Sequence, residues 1–419
     1  MKLIYLNLLF SFIFFASYNP NSELKKFFLP PNIKTIIFKN NDTNSKQFPV
    51  LRLNNTIKLS FDDINADELD YYYKITYHNS DWTESILSKN EYLIGYDNLR
   101  ISNYQNSFNT IQTYTNYTLI LPNESTRFKL SGNYMIHIYN LNGELQFSRK
   151  FIFVKERIKV SANVYRTRDL NFYQTHQSIK FSISQPSIGF LKNIETSLSV
   201  VLIQNDQWNN SISGFQPQYQ TNNVLEYRYE KETRFPGGNE YFYFDTKDLR
   251  ITGPNISYVS LNKLYESYLY TDIPRKNLPY SYGKDINGDF EIRTLMGTQN
   301  ESIEADYSWI NFTLAASVEL PETEVFILGK FNNYEPRLNN KMFYNNALEA
   351  YEARILLKQG FYNYKYVALT PSGFEYNLIS GDFAQTENSY TILVYYRAPG
   401  EIFDELIGIT TTSSLQIFN

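Results

Sequence analysis

The sequence predicts an all-β fold of three consecutive immunoglobulin-like β-sandwich domains that follow a signal peptide, and three observations predict it. Of the 419 residues, 17% are aromatic, with 37 tyrosines and 31 phenylalanines, and aromatic side chains suit the half-buried surface of a pleated sheet. Short runs that alternate between polar and apolar residues recur along the chain, separated by turn residues. Helix-favouring windows rich in Ala, Leu, Glu and Lys are confined to a short stretch near Leu348.

The N-terminal segment, residues 1–17, is expected to be a cleaved secretory signal peptide. Lys2 precedes an apolar run that ends at Phe15, and the small residues Ala16 and Ser17 follow it, which is the order of charged, apolar and small residues in such signals. A membrane anchor is the alternative, but a spanning helix needs roughly 20 apolar residues and this run is shorter. We therefore expect the mature chain to be exported.

The first sandwich domain is predicted over residues 31–156. Its clearest alternating segments are "LDYYYKITYH" (69–78), "SGNYMIHIYN" (131–140) and "FSRKFIFV" (147–154). The "LNG" at 141–143 predicts a hairpin turn between the last two segments, because Asn-Gly accepts the positive φ angles of a tight turn. The charged "KER" that follows marks the end of the domain.

The second sandwich domain is predicted over residues 157–297 and the third over residues 302–408. Within the second, Gly237–Gly238 is expected to form a turn or bulge. The last hairpin of that domain is expected around "DINGD" at 285–289, where another Asn-Gly occurs. Residues 409–419 are rich in Thr and Ser and are predicted to be a frayed tail.

The residue types that most catalytic or metal chemistry needs are missing or badly spaced. The chain has 0 Cys, which excludes disulfides and cysteine-based zinc sites. His78, His137 and His176 each lack a second histidine at a metal-binding spacing. Phosphate-cradling glycine loops and GxSxG turns do not occur. We therefore predict that the chain is not an enzyme and has no catalytic, cofactor-binding or metal-binding residues and no cofactor.

The segment "DINGD" resembles the start of a calcium loop without completing one. Asp285, Asn287 and Asp289 alternate, but a calcium loop requires Gly at its sixth position and Glu at its twelfth. Here Gly288 is fourth and Met296 is twelfth, which favours a simple turn. A nucleic-acid partner is also disfavoured, because the formal net charge is −4 and no basic run supplies a phosphate-binding face.

A row of tyrosines in "GFYNYKYVAL" has three interpretations: a stacking platform for sugars, a protein-binding surface, or a buried core row. Tyr362, Tyr364 and Tyr366 share one face of a predicted strand, and Asn363 and Lys365 lie on the other face. A sandwich strand turns one whole row inward, and the polar residues of the opposite row are expected in water. We therefore assign the tyrosine row to the interior.

The same region resembles a family of carbohydrate-binding modules. "VFILGKFNNYEP", followed by "AYEARILLKQGFYNYKYV", has the order found in the modules of starch-branching and glycogen-sensing proteins. The resemblance implies an exposed aromatic platform for a sugar, and Tyr334 stands at one such place, where those modules usually carry tryptophan. A carbohydrate-binding or adhesin-like surface module, with a glycan as its partner, is therefore the alternative function.

Blocks spread over the chain together resemble the plug protein family of the type IX secretion system of Bacteroidota. They are "YYYKITYHNSDWTESILSKNEYLIGY", "VLIQNDQWNN", "VLEYRYEKETRFPGGNEYFYFD", "DINGDF", "ADYSWINFTL" and "GDFAQTENSYTILVYYRAPGEIFDELIG". Their order and spacing resemble that family over nearly all of the mature chain. The combination is much more specific than any one block.

The resemblance implies a non-catalytic periplasmic protein at the inner face of the outer membrane. Such a protein docks on the periplasmic opening of the outer-membrane translocon barrel, its protein partner, and closes the opening when no substrate passes. The sequence does not identify the partner-binding residues. Sandwich loops such as the one around Trp82 are candidates, although a tryptophan beside Asp and Ser also suits a local lid on the core.

Two further classes fit the sequence less well. An outer-membrane β-barrel needs strands of about 10 residues with an unbroken apolar row facing the lipid. The outward rows here carry Lys, Asp and Asn, as in "KITYHNSD". An enzyme is the weakest reading, because the motifs for one are absent.

Overall fold

The computed structural model describes residues 29–41, 49–53, 55–295, 297, 300–316 and 320–417. Nearly all regular structure in these ranges is β, so the prediction of an all-β sandwich fold is confirmed. The predicted signal peptide lies outside the described residues. Within the described ranges, no helix combines the length and the apolar character needed to cross a membrane.

The strands fall into three groups along the chain. The first group is β1 Ile33–Asn40, β2 Val50–Arg52, β3 Ile57–Asp63, β4 Tyr71–His78, β5 Leu93–Gly95, β6 Leu99–Arg100, β7 Tyr104–Asn106, β8 Thr115–Leu121, β9 Thr126–Phe128, β10 Gly132–Asn140 and β11 Leu145–Val154. The second is β12 Lys159–Arg166, β13 His176–Ser184, β14 Leu198–Gln204, β15 Ile212–Ser213, β16 Tyr219–Thr221, β17 Val224–Tyr227 and β18 Arg234–Pro236. The third is β19 Phe242–Asp245, β20 Ile256–Leu261, β21 Tyr265–Leu269, β22 Phe290–Ile292, β23 Tyr307–Ala315, β24 Glu324–Leu328, β25 Phe343–Asn345, β26 Ala350–Lys358, β27 Gly360–Thr370 and β28 Gly373–Glu375.

Two last strands, β29 Ser389–Tyr396 and β30 Glu405–Ser413, end the β structure. Short helices occur in the connections. The α-helical turns are Lys89–Tyr92, Ile194–Ser197 and Glu301–Glu304, and the 3₁₀ turns are Trp208–Asn210, Lys330–Asn332, Leu338–Asn340 and Ser414–Gln416.

Strand pairing builds three sandwiches, which we call the N-terminal, middle and C-terminal units. The N-terminal unit has sheets of order β1-β3-β8-β7 and β2-β11-β10-β4-β6, with β5 paired to β9. The middle unit has β12-β13-β17-β16, with β18 on β13, and β15-β14-β29-β30. The C-terminal unit has β19-β27-β22, with β24 and β28 also on β27, and β20-β21-β23-β26-β25. Most pairs are antiparallel, whereas β2 runs parallel to β11 and β21 parallel to β23.

The sheets do not follow the boundaries predicted at residues 297 and 408. Strands β29 and β30 complete the second sheet of the middle unit, where Leu198 pairs with Tyr396. Strands β19 to β22 belong to the sheets of the C-terminal unit, and β30 continues as paired strand to Ser413, inside the predicted tail. The physical reason is that alternation of polar and apolar residues shows which residues form a strand but not which strand they pair with. The pairing depends on the burial of a whole sheet face, to which distant strands contribute. The C-terminal unit is thus inserted into the middle unit.

The two connections between the middle and C-terminal units run side by side. The Gly238 carbonyl oxygen accepts hydrogen bonds from Phe383 N at 2.8 Å and Thr386 Oγ1 at 2.9 Å, and the Gly237 carbonyl accepts from Asn388 Nδ2 at 2.9 Å. A Cβ atom at Gly237 would lie 2.1 Å from the Phe383 carbonyl oxygen. Glycine is therefore required for this close approach.

The two Asn-Gly turns have different outcomes. β10 and β11 form the predicted hairpin, with Gly143 at φ +78°. At "DINGD" the chain also turns, with Gly288 at φ +80°, but the predicted hairpin is wrong. β22 pairs with β27 instead, through Phe290 opposite Tyr362, because the segment before this turn forms no strand in the described residues.

The tyrosine row of β27 lies in the core, as predicted, but the opposite face of the strand does not lie in water. Tyr362, Tyr364 and Tyr366 are at most 1% exposed. The opposite face is buried too: Asn363 is 0% exposed and Lys365 is half-buried. The prediction that those two residues face water is wrong, because a second apolar cluster covers that face. It consists of Tyr241, Phe326, Leu328, Tyr334, Val367 and Leu369.

A buried ion pair joins the N-terminal and C-terminal units. Lys358 Nζ lies 2.7 Å from Asp62 Oδ2, and the two side chains are 1% and 0% exposed. Asp62 also accepts hydrogen bonds from Tyr307 OH at 2.6 Å and Asn116 Nδ2 at 2.7 Å. The ammonium group lies 4.0 Å from the ring centroid of Tyr114. Because a buried charge is tolerated only when it is paired and hydrogen-bonded, this network favours one arrangement of the two units.

An apolar cluster and tyrosine hydrogen bonds join the N-terminal and middle units. The cluster consists of Ile152, Val154, Val201, Ile203, Leu393, Tyr395 and Leu406. Tyr395 OH donates to Asn133 Oδ1 at 2.7 Å, and Tyr77 OH donates to the Asp404 carbonyl oxygen at 2.6 Å. Buried hydroxyls need such partners, so each bond fixes one unit against the other.

Candidate functional site

The three histidines lie in different surroundings, and two of them are close together. Within the described residues, no group of three or more potential ligands is suitably placed to hold a metal ion. His78 and His137 do approach each other, because the Nε2 atoms of both lie 2.8 to 2.9 Å from Thr76 Oγ1. His137 Nδ1 also lies 2.8 Å from Ser148 Oγ, and burial lowers the pKa of His137. Cross-strand pairing, which the sequence does not show, brings these groups together.

Tyr334 does not form an exposed platform. Its side chain is 6% exposed, and its hydroxyl donates to the Asn287 carbonyl oxygen at 3.3 Å. It packs in the second cluster of the C-terminal unit, the one that covers the outer face of β27. The aromatic position expected for sugar stacking is therefore part of the interior.

Trp82 contacts another unit of the protein. Its ring lies 4.8 Å from the ring of Trp208 in the middle unit, at an interplanar angle of 82°. Lys150 Nζ lies 4.4 Å from the Trp82 ring centroid. The sequence suggested either a partner-binding loop residue or a lid that covers part of the core. The structure favours the lid, which lies between the N-terminal and middle units.

One exposed aromatic surface stands out on the C-terminal unit. The sheet of β20, β21, β23 and β26 buries one face, and its other face carries Tyr258, Tyr268 and Trp309. Together with Tyr270, which directly follows the end of β21, we call these residues the outer aromatic face. Tyr258, Tyr268 and Tyr270 are 59%, 36% and 63% exposed, and Trp309 is half-buried. Tyr258 pairs with Tyr268 across β20 and β21, so their side chains point to the same side of the sheet.

Side-chain contacts fix the conformation of this face. The rings of Tyr258 and Tyr268 are 5.7 Å apart, and Tyr268 OH donates to Glu266 Oε2 at 3.0 Å. Glu266 also pairs with Arg354, whose Nη2 lies 2.6 Å from Oε1. The Arg354 guanidinium lies 4.4 Å from the ring centroid of Trp309. The hydrogen bond from Asn262 to Glu266 is the main cause that lowers the pKa of this carboxyl, so it carries its charge at neutral pH.

The outer aromatic face has the composition of a protein-binding hot spot. Tyr, Trp and Arg dominate the binding energy of protein interfaces, since each offers a large planar group with a polar end. Rings held in place by neighbours lose little conformational freedom on binding. β20 is also the edge strand of its sheet. The arrangement is suited to binding a protein surface.

The sequence analysis did not single out this face. The available signal was the alternation in "YVSLNKLYESYLY", where tyrosines recur beside a turn. Alternation alone does not separate a buried row from an exposed one, as β27 also demonstrates. The register of β21 with β23, which places Glu266 beside Trp309, was needed to see a continuous surface.

Comparisons with known proteins match part of the chain to a protein family and most of the chain to solved structures. Residues 33–155 match the family described as the type 9 secretion system plug protein 1st domain. A crystal structure of a hypothetical protein from Parabacteroides merdae matches with 33% sequence identity and a TM-score of 0.87, over 92% of this chain and 98% of that chain. The BSP domain of a biofilm associated protein matches at 8% identity with a TM-score of 0.19, over 92% of this chain and 60% of that one. No curated protein sequence matches.

Proposed function

Because the chain belongs to the type IX secretion system plug protein family, we propose that it is a periplasmic plug of the outer-membrane translocon. In this role it docks on the periplasmic opening of the translocon barrel and closes that opening when no substrate passes. The observation that carries the proposal is the match of residues 33–155 to the plug family. The family also suggests a non-catalytic role.

The connections between the units support this role. A plug has to resist deformation over the area that it covers, so its domains must not move freely against each other. Domain interfaces within a chain usually permit such motion unless they are large and apolar. Here the Lys358–Asp62 pair, the apolar cluster around Leu393 and the paired connections at Gly237 each restrain it. The restraints act at three different junctions.

We assign the docking contact to the outer aromatic face. The partner is the periplasmic rim of the translocon barrel, a protein surface, and planar side chains with polar ends suit a reversible contact with it. Tyr268 and Trp309 lie in the central strands of the sheet, and Arg354 and Glu266 provide a polar pair beside them. This arrangement of apolar anchors with polar neighbours is that of a typical interface.

The role as a plug is tested by co-purification from the native envelope. A tagged translocon barrel protein is expected to bring down this chain when secretion is idle. Deletion of the chain is expected to make the envelope more permeable to large antibiotics and dyes, because the pore is left open. Recovery of the chain without any barrel protein, together with unchanged permeability in the deletion strain, would reject the role.

The docking assignment is tested with two substitutions on the outer aromatic face. Trp309→Ala and Tyr268→Ala are each expected to weaken co-purification with the barrel, by about 2 kcal/mol of binding energy if they act as hot spots. Tyr96→Ala is the matched control, because Tyr96 is 77% exposed on the N-terminal unit and its loss leaves the face intact. If the control alone weakens capture, or all three variants bind as the wild type does, the contact lies elsewhere.

A further inference from the structure

Two histidines of the N-terminal unit share one threonine hydroxyl. Thr76 and His78 lie on β4, and His137 lies on the neighbouring strand β10. The Nε2 atoms of His78 and His137 lie 2.8 Å and 2.9 Å from Thr76 Oγ1. At the other end of its ring, His137 Nδ1 lies 2.8 Å from Ser148 Oγ on β11, and His78 Nδ1 lies 2.9 Å from the Trp82 carbonyl oxygen. We call this continuous set of hydrogen bonds the histidine chain.

The direction of each hydrogen bond follows from the Trp82 carbonyl oxygen, which can only accept. When both rings are neutral, His78 Nδ1 therefore carries a proton, and His78 Nε2 accepts one from Thr76. The Thr76 hydroxyl has a single proton, so it acts as the acceptor toward His137, and His137 Nε2 is the donor. His137 Nδ1 then accepts from Ser148 Oγ. Each polar atom of the histidine chain thus has one defined role.

The histidine chain ends on a strained loop, residues 79–83, which we call the Trp82 loop. Trp82 has φ +67°, a left-handed conformation that is unfavourable for a bulky residue. Its indole Nε1–H is buried without a hydrogen-bond partner among the described residues, which is unfavourable as well. The hydrogen bond from His78 to the Trp82 carbonyl oxygen is one of the contacts that hold the loop in this conformation.

The Trp82 loop connects the N-terminal unit to the middle unit. The ring of Trp82 packs on that of Trp208 at 4.8 Å. Ser80 N donates to Asp404 Oδ2, which belongs to the middle unit, at 2.9 Å. A change in the histidine chain that frees the loop therefore loosens this junction.

The histidine chain can take up one proton with all its hydrogen bonds in place. A proton on His137 Nδ1 only requires the Ser148 hydroxyl to turn, so that Ser148 Oγ accepts instead of donating. The two bonds to Thr76 keep their direction, and His78 still donates to the Trp82 carbonyl oxygen. The chain therefore stays closed when the two histidines together carry a single charge.

A second proton breaks this arrangement. It enters at His78 Nε2, and both imidazoles then direct an N–H group at Thr76 Oγ1. The Thr76 hydroxyl proton loses its acceptor, and two positive charges face each other across one oxygen atom, where they repel. The two histidines can hold two protons only if their rings move apart.

Charged and ionisable side chains surround the two histidines on several elements. They are Lys74 on β4, Tyr139 on β10, Lys150 on β11, Asp81 in the Trp82 loop, Glu84 just after it, Lys89 in the next helical turn, and the Arg397–Asp404 pair of the middle unit. Burial is the main cause that lowers the pKa of His137, and the charge of His78 lowers it further. Lys74 and Lys89 act in the same direction, whereas Glu84 raises this pKa. The net effect of the surroundings is to disfavour a further positive charge.

We propose that the histidine chain is an acid-sensitive switch between the N-terminal and middle units. Above about pH 6, where histidine is largely neutral, the chain is closed and holds the Trp82 loop against Trp208. In more acidic solution, uptake of the second proton moves the two rings apart. The hydrogen bond from His78 to the Trp82 carbonyl oxygen is then lost, and the loop opens. The switch is a property of the folded chain and does not depend on its role as a plug.

The test measures hydrogen–deuterium exchange of the Trp82 loop in the full chain. The pH is varied from about 6 to about 4.5, a range in which histidine becomes protonated in water while most exposed carboxylates keep their charge. The protection factor of the amides of residues 79–83, corrected for the intrinsic exchange rate, reports the fraction of open loop. It is expected to fall roughly tenfold per pH unit, because opening takes up one proton.

A histidine substitution and a matched control locate the switch. His137→Asn removes one of the two charges, so that His78 can be protonated and still donate to the Trp82 carbonyl oxygen. The protection factor of this variant is expected to be independent of pH. His176→Asn is the control, because His176 lies in the middle unit, where its Nδ1 is 2.7 Å from Thr175 Oγ1. The control is expected to show the same pH dependence as the parent chain.

A second readout needs no substitution, because the chain has 3 histidines. In an NMR titration of the parent chain, two of the three imidazoles are expected to take up their protons in steps more than about 1 pH unit apart, as coupled groups do. This readout decides alone if His137→Asn fails to fold. The proposal is overturned by a protection factor that does not change with pH in the parent chain, by an equal pH dependence in His137→Asn, or by three imidazoles that titrate together near about pH 6.5.

Discussion

Raising the pH above about 10 is expected to unfold the protein within roughly one pH unit. The largest fully buried side chains are tyrosines, and tyrosine ionises near pH 10 when it is exposed to water. Burial is the main cause that raises the pKa of Tyr71, Tyr77, Tyr114, Tyr117, Tyr134, Tyr227, Tyr307, Tyr362, Tyr364, Tyr366 and Tyr390. In the folded state these hydroxyls keep their protons.

The sign of the effect follows from proton binding in the two states. Below pH 10 the folded and unfolded chains both hold these protons, so the tyrosines leave the free energy of unfolding unchanged. Above pH 10 the unfolded chain binds fewer protons, and the free energy of unfolding falls by about 1.4 kcal/mol per group and pH unit. Roughly ten such groups give a slope on the order of 10 kcal/mol per pH unit, which is comparable to the whole stability of a typical protein, about 5–15 kcal/mol.

The measurement follows tyrosinate absorbance and far-ultraviolet circular dichroism along one pH titration. The main rise in absorbance is expected to coincide with loss of the β signal. Tyr134→Phe is the matched variant, because it removes one buried ionisable group. Above pH 10 its free energy of unfolding is expected to fall less steeply with pH, by about 1.4 kcal/mol per pH unit, which corresponds to one proton. Complete ionisation of the tyrosines in a chain that keeps its β signal would show that their burial does not resist ionisation.

A smaller effect of opposite sign is expected just below this transition. Burial lowers the pKa of Lys150 and of Lys365 to about 8, from 10.5. Between these values the unfolded chain binds more protons than the folded chain, so the free energy of unfolding rises with pH. Stability is therefore expected to pass through a maximum near pH 10.

Lys358→Met is expected to destabilise the protein by about 3–5 kcal/mol. The substitution leaves Asp62 buried and charged without its cationic partner, while Tyr307 and Asn116 still donate to it. Because the pair lies between the N-terminal and C-terminal units, limited proteolysis is also expected to become faster there. Urea denaturation measures the change in the free energy of unfolding.

Two further variants test whether the loss of stability comes from the buried Lys358–Asp62 pair or from the loss of any cationic side chain. Arg52→Met breaks the Arg52–Glu156 pair, whose side chains are 73% and 42% exposed, and is expected to cost less than about 1 kcal/mol. The double variant Lys358→Met with Asp62→Asn removes both charges and is expected to recover part of the loss, because no buried charge remains unpaired. Equal effects of Lys358→Met and Arg52→Met would show that the buried pair contributes little.

Local pattern predicted much of the fold and little of the sites. The alternation of β27 and the Asn-Gly turn at 142–143 were sufficient for a core strand and a hairpin. The same alternation was wrong about Asn363, because β27 is covered on both faces, and coverage depends on distant segments. The alternation of residues along a strand and the residue types of a turn are local properties of the sequence. The segment that packs over the second face of a sheet comes from a distant part of the chain.

The sites depend on contacts between distant parts of the chain. The outer aromatic face needs the register that sets Glu266 beside Trp309 and brings Arg354 over it. The cavity that Lys150, Trp208 and Tyr334 line likewise needs all three units to meet. In the sequence each of these residues is an ordinary strand residue with no motif around it. Only tertiary structure distinguishes them from the many other aromatic and basic residues.

The insertion of the C-terminal unit into the middle unit has a consequence for biogenesis. β14 can pair with β15 early, but its other partner, β29, is complete only when the chain has been made as far as Tyr396, the residue that pairs with Leu198. Contacts so distant in sequence form slowly, and unpaired strand edges invite aggregation while they wait. The middle sandwich therefore stays open along β14 until the last two strands have been made, and a chaperone would have most to protect at that stage.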